Sequence, residues 1–176
     1  MLECEAANAV EKGVELRANL DPSFVGLDVL KQKHAETLED FRRWPTAGDW
    51  ASFHRSHYDW WMFPIDEPSG FGFRYTVLEE EIEELKEGDR YLEDLLQGAV
   101  LLGKSRGWNL REVALIPVRS PDQHWQNWPI RLYKATKCVK LLELGGAYAS
   151  LRQYGRGLLE QGVSFEYSRD LTWLFQ

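Results

Sequence analysis

Residues 76–110 read TVLEEEIEELKEGDRYLEDLLQGAVLLGKSRGWNL, and their spacing decides the fold class. Leu78, Ile82 and Leu85 recur at helical intervals, while Glu79, Glu80, Glu81, Glu83 and Glu84 fill the remaining positions, which predicts an amphipathic helix. Thr76 offers a cap, and Glu79 three residues later would complete a capping box. Gly88 interrupts the pattern. A longer helix is then expected from Asp89 to about Arg106, with Leu92, Leu95, Leu96, Ala99 and Leu102 on its buried face.

Outward from this stretch the periodicity stays helical. A helix is expected over residues 2 to about 18, closed by Asn19 and the Asp21-Pro22 turn. Another runs from about Asp28 to Arg43 and should stop at Trp44-Pro45, because proline disfavours helix in the residue before it. Thr46 to Asp49 supplies fresh caps for a helix from Trp50 to about Tyr58. VALIPVRSP (113–121) has β-like character, but Pro117 and Pro121 make it an extended connector. Helices follow at about 129–144, with Leu132, Ala135, Val139 and Leu142 on one face, and at about 147–161. The tail VSFEYSRDLTWLFQ (163–176) is aromatic and should dock on the body. The expectation is a single all-α domain of six to seven helices. It comprises an N-terminal helical arm (1–46), a body (47–162) and a docking tail (163–176).

A chain of 176 residues buries roughly 70% of its unfolded surface and needs no disulfide staples. The formal charge of −7 disfavours a general nucleic-acid or membrane-surface binder, since both partners are anionic. Cys4 and Cys138 stand alone, as expected of buried thiols in a reducing compartment. The acidic N-terminal segment lacks the basic start of a signal peptide, so a cytoplasmic location is expected.

Three clusters offer chemistry. Glu79-Glu80-x-x-Glu83 fits the first half of the EExxE…ExxD pattern of all-α nucleotide pyrophosphohydrolases resembling MazG. In that family, carboxylates on neighbouring helices hold Mg²⁺. The second half is missing, because Glu93 and Asp94 are adjacent and point in different directions. The competing reading is a solvated helix face near a helix N-terminus. His54 and His57 share a helical face and, with Asp59, Asp66 or Glu67, could ligate a metal. Packed histidines are the commoner use of that spacing. Arg131, Lys134, Lys137 and Lys140 form a basic stripe that meets an acidic partner or the phosphate backbone of an RNA, or else faces the acidic helix of Glu79 to Glu84. No nucleophile elbow, P-loop or dinucleotide-binding glycine pattern is present.

Tyr58, Trp61, Phe63, Pro64 and Glu67 spell Y-x-x-W-x-F-P-x-x-E within HYDWWMFPIDEP (57–68). This hallmark resembles the conserved N-terminal region of the opioid growth factor receptor family. Leu101-Leu102-Gly103 through Gly107-Trp108-Asn109-Leu110 is similar to that family's Leu-rich helix and aromatic-Gly turn. Arg131-Leu132-x-Lys134-Ala135-x-Lys137-Cys138-Val139 is similar to its basic helix. The resemblance runs in order over residues 50 to 161. It departs from the family where Glu143-Leu144-Gly145-Gly146 replaces Gly-Glu-Leu-Gly. It implies a non-enzymatic helical domain of peptide-binding or regulatory character. Trp61 and Phe63, with Tyr58 and Pro64, are then structural anchors, and Trp60, Met62, Asp66 and Glu67 are free to face a cleft.

The expected function is therefore a non-catalytic interaction or regulatory module for a protein or peptide partner, with no catalytic residue, cofactor or metal. Its partner surface is expected at Trp60, Met62, Asp66, Glu67, Arg131, Lys134 and Lys137, and eight tryptophans leave room for a homodimer patch. The alternative is a Mg²⁺-dependent nucleotide hydrolase using Glu79, Glu80, Glu83 and Glu93.

Overall fold

The computed structural model describes residues 15–176, and among these the chain forms seven α-helices and one minimal strand pair. The helices are α1 (Leu27–Thr46), α2 (Ser52–Arg55), α3 (Asp59–Met62), α4 (Glu79–Lys86), α5 (Asp89–Ser105), α6 (Pro129–Leu141) and α7 (Gly145–Glu160). Strands β1 (Trp108–Asn109) and β2 (Ala114–Leu115) pair antiparallel, with Trp108 opposite Leu115. The all-α expectation therefore holds, and no helix among the described residues is long and apolar enough to cross a membrane.

Helix α6 is the axis of the fold. Every residue from Arg131 to Val139 is buried, because α3, α5, α7 and the one-turn 3-10 helix Thr172–Leu174 all pack against it. Leu132, Ala135 and Val139 join the main core as their spacing implies, and Leu142 just beyond the helix joins them. Helix α1 packs on α3 and α5, and α4 packs on α5. On α5, Leu95, Ala99 and Leu102 are fully buried, whereas Leu92 and Leu96 lie half-buried at the edge of that face.

The tail is locked down by aromatic side chains. Phe165, Leu171, Leu174 and Phe175 are all buried. Phe175 sits against Gly155 of α7, where an added Cβ would lie 2.2 Å from its ring. Glycine at that position makes the notch that receives the phenyl group.

Five local expectations are corrected. The first-helix reading lies largely outside the described residues, and its end at 15–18 is not helical. There the chain runs extended beside α4: the Glu80 N–H donates to the Arg17 carbonyl at 3.0 Å, and the Asn19 N–H donates to Glu81 at 2.9 Å. Helix α1 continues through Pro45 to Thr46 and ends where Gly48 takes φ +71°. A proline in the last turn forfeits one hydrogen bond without ending the helix, and the left-handed glycine stops it.

The expected helix from Trp50 to Tyr58 is instead two short helices separated by extended backbone at Ser56. The cause lies far away in sequence. The Arg131 guanidinium donates to the Phe53, His54 and Ser56 carbonyls at 2.9, 3.0 and 2.7 Å, capping the end of α2. At α4 the capping carboxylate is Glu81, which accepts from the Leu78 N–H at 2.8 Å, while the Thr76 hydroxyl donates to the Glu67 carbonyl. The connector around Pro117 begins in β2, because Ala114 and Leu115 find partners in β1.

Candidate functional site

The loop after α3, the first turns of α6 and the tail enclose a cleft of about 650 Å³. That volume is typical of pockets for small molecules or short peptide segments. Asp59, Arg131 and Lys134 are its buried charged residues. Trp60 is half-buried, and His57, Trp128, Tyr167 and Arg169 are exposed at its edge.

Asp59 enters the cleft because it opens α3, and Lys134 meets it one turn along α6 from Arg131. The Lys134 ammonium lies 3.0 Å from the Asp59 carboxylate and 5.2 Å from the centre of the Trp60 ring. Burial lowers the pKa of Lys134, and Asp59 only partly restores it. Arg131 spends its guanidinium on the α2 carbonyls and on the faces of Tyr58 and Trp128, 4.9 and 5.1 Å away, with Asp59 3.9 Å off. Arg131, Lys134 and Lys137 of the stripe are thus met by carboxylates from α3 and the following loop, not by the acidic helix α4, while Lys140 is exposed beside the rings of Tyr148 and Trp173.

A second ionic cluster adjoins the first. Glu67 accepts from the Tyr133 hydroxyl at 2.7 Å, from Lys137, and from Arg169 of the tail. Lys137 also pairs with Asp66 at 2.6 Å. Burial opposes the charge on Glu67, but hydrogen bonds from Lys137, Tyr133 and Arg169 outweigh it and hold its pKa below the usual carboxylate range. The same carboxylate, with burial as the larger cause, pushes the Tyr133 phenol well above its ordinary value.

The expected partner residues separate into three groups. Trp60, Glu67, Arg131 and Lys134 line the cleft together. Asp66 and Lys137 lie outside the lining, and Lys137 links Asp66 to the cleft residue Glu67. Met62 does not belong to the surface: it is fully buried, with its methyl group in the space left by Gly98 of α5, where a Cβ would come within 2.3 Å. Tyr58, Phe63 and Pro64 are buried as anchors, whereas Trp61 is half-buried and donates from its indole N–H to Thr37 at 2.8 Å. Residues the sequence reading passed over, Trp128, Tyr167 and Arg169, complete the cleft. Their only prior signal was aromatic content in segments without helical period.

The acidic run disperses. Glu79 pairs with Arg17 at 2.7 Å, Glu83 with Lys86 at 2.7 Å and Glu84 with Lys31 at 3.4 Å, while Glu81 caps its own helix. Asp94 pairs with Arg42 and Arg90. His54 donates from Nε2 to the Asp122 carbonyl at 2.8 Å, and burial lowers its pKa to about 4. His57 instead stacks on Trp60. Among the described residues, no three His, Cys, Asp or Glu side chains are placed to hold one metal ion.

Comparison of the chain with protein-family models, curated proteins and solved structures finds no match to any of them.

Proposed function

We propose that this helical domain is a non-catalytic binding module that takes a peptide segment of a partner protein in the cleft between α3, α6 and the tail. One observation carries the reading: aromatic side chains and desolvated charges converge on a cleft large enough for a ligand. Trp60, Trp128 and Tyr167 supply apolar faces, and Asp59, Lys134 and Glu67 supply fixed charges beside them. Aromatic anchors beside ordered polar groups are what concentrates binding energy in recognition sites. The charges are held by one another, without the nucleophile–base pairing that acyl or phosphoryl transfer calls for. The resemblance carried by Tyr58, Trp61, Phe63 and Pro64 leans the same way. The hydrolase alternative calls for Glu79, Glu80, Glu83 and Glu93 to converge, and Glu79 and Glu83 are each engaged by a different cation.

The test is a peptide-display selection on the purified chain, followed by affinity measurements on Trp60→Ala. Enriched peptides should weaken about tenfold or more in the variant while its melting temperature stays within a few degrees. Failure to enrich any sequence, or equal binding by the variant, would remove the cleft from consideration.

A further inference from the structure

Resting on the reading of the cleft as a peptide site, we propose that its occupant is an acidic segment whose carboxylate is received by Arg169. Around the cleft the ionic side chains do not balance. Among the residues that line it, Arg131, Lys134 and Arg169 are cations, against the carboxylates of Asp59 and Glu67, while Glu166 and Asp170 of the Arg169 turn lie outside the lining. One positive charge is in excess, on a chain whose net charge is −7. Within the lining this surplus favours an anion over a cation as occupant.

The cations are not equally available. Arg131 is committed to three backbone carbonyls, and Lys137 to two carboxylates. Releasing Lys134 would strand Asp59, whose side chain is 7% exposed, without its closest partner. Arg169 differs on each count. Its side chain is 51% exposed, it lines the cleft, and among the described residues its one ion-pair partner is Glu67, with the Tyr133 ring 5.5 Å away. Glu67 keeps two other donors, Tyr133 and Lys137, when Arg169 turns away. The guanidinium can therefore exchange an internal carboxylate for an external one without orphaning a buried charge.

The tail is built for that exchange. Arg169 belongs to a tight turn closed by the Glu166–Asp170 bridge, with Ser168 at φ +56°. Phe165 and Leu171 on either side are buried, so the side chain can swing while the backbone stays anchored. Tyr167 and Trp128 stand exposed in the same lining, ready to cover apolar side chains beside the acid.

The experiment titrates the full chain with a fluorescent octapeptide pool restricted to Asp, Glu and apolar residues. A matched pool with Asn and Gln in place of the acids, and inorganic phosphate, form the other arms. Acidic peptides should bind about tenfold or more tighter than the amide pool, and Arg169→Gln should abolish that preference with little change in melting temperature. Arg169→Lys should restore part of it. Equal binding of both pools, or an unchanged preference in Arg169→Gln, overturns the proposal. If that common binding is lost in Trp60→Ala, the peptide-module reading survives. Competition by phosphate as strong as by acidic peptides replaces the segment with a small anion and also overturns it. Binding by none of the three removes both readings.

Discussion

Lys134 and Asp59 form an ion pair 3.0 Å apart in which each side chain is only 7% exposed. Such a pair is worth little against an apolar substitute, but removing one partner leaves a buried charge without its closest counter-ion. Asp59→Asn and Lys134→Met should each destabilise the chain by about 3–5 kcal/mol, and the double variant by clearly less than their sum. Urea denaturation of the four proteins gives the coupling. Additive losses would mean that the pair does not interact.

Trp61 and Phe63 should differ in weight. Phe63 is fully buried, so Phe63→Ala is expected to cost about 3–5 kcal/mol. Trp61 is half-buried and hydrogen-bonded to Thr37, and its truncation should cost less. Thermal melts of the two variants side by side check the order, and a larger loss for Trp61→Ala would contradict the packing described.

Gly155 should tolerate no side chain while Phe175 is in place. Gly155→Ala puts a Cβ 2.2 Å from the phenyl ring and should destabilise by roughly 1–3 kcal/mol while exposing the tail to proteases. In a Phe175→Ala background the same substitution should be close to neutral. A full penalty there would place the strain elsewhere.

Acid should unfold the chain through its buried histidines. Burial lowers both His34 and His54 from an ordinary 6.5 to about 4. Between those values the unfolded chain binds more protons than the folded one, so stability falls as pH falls across that window. For His34, which packs at a tilt against Tyr91 in the core, the loss by pH 4.5 should be about 2 kcal/mol. Denaturant midpoints at pH 7 and 4.5 should therefore diverge less in His34→Leu than in the parent. An identical divergence would clear His34 of any part in it.

Mg²⁺ with nucleoside triphosphates should leave the melting temperature unchanged. A ligand at 100 times its dissociation constant stabilises by about 2.7 kcal/mol, a rise of roughly 5–10 °C for a chain this size. A rise of that order, lost in Glu83→Gln, would restore the hydrolase alternative.

Much of the helical frame was legible because it depends on local period. The limits of α5, the start of α6 and the apolar face of α6 follow from spacing alone, but α6 ends at Leu141 and its burial extends to every residue from Arg131 to Val139. What escaped depends on partners remote in the chain. The break between α2 and α3 is made by Arg131, which no local pattern near Phe53 announces. The basic stripe was visible, but its partners, Asp59, Asp66 and Glu67, are chosen by tertiary packing. Met62 was misplaced because the space it fills is made by an absent side chain, Gly98. Arg169 and Trp128 sit in aperiodic segments, where sequence offers composition and no geometry.

The cations enclosed on α6 also limit how the helix can be misassembled. An apolar helix surrounded on all sides could slide or rotate among neighbours at modest loss, since one aliphatic contact replaces another. A shift of α6 by one residue would turn its face by about 100°. Arg131 would leave three carbonyls unpaired, and Lys134 and Lys137 would be driven against apolar walls. The charges on this helix serve as keys cut for one lock position, making every competing registration costly.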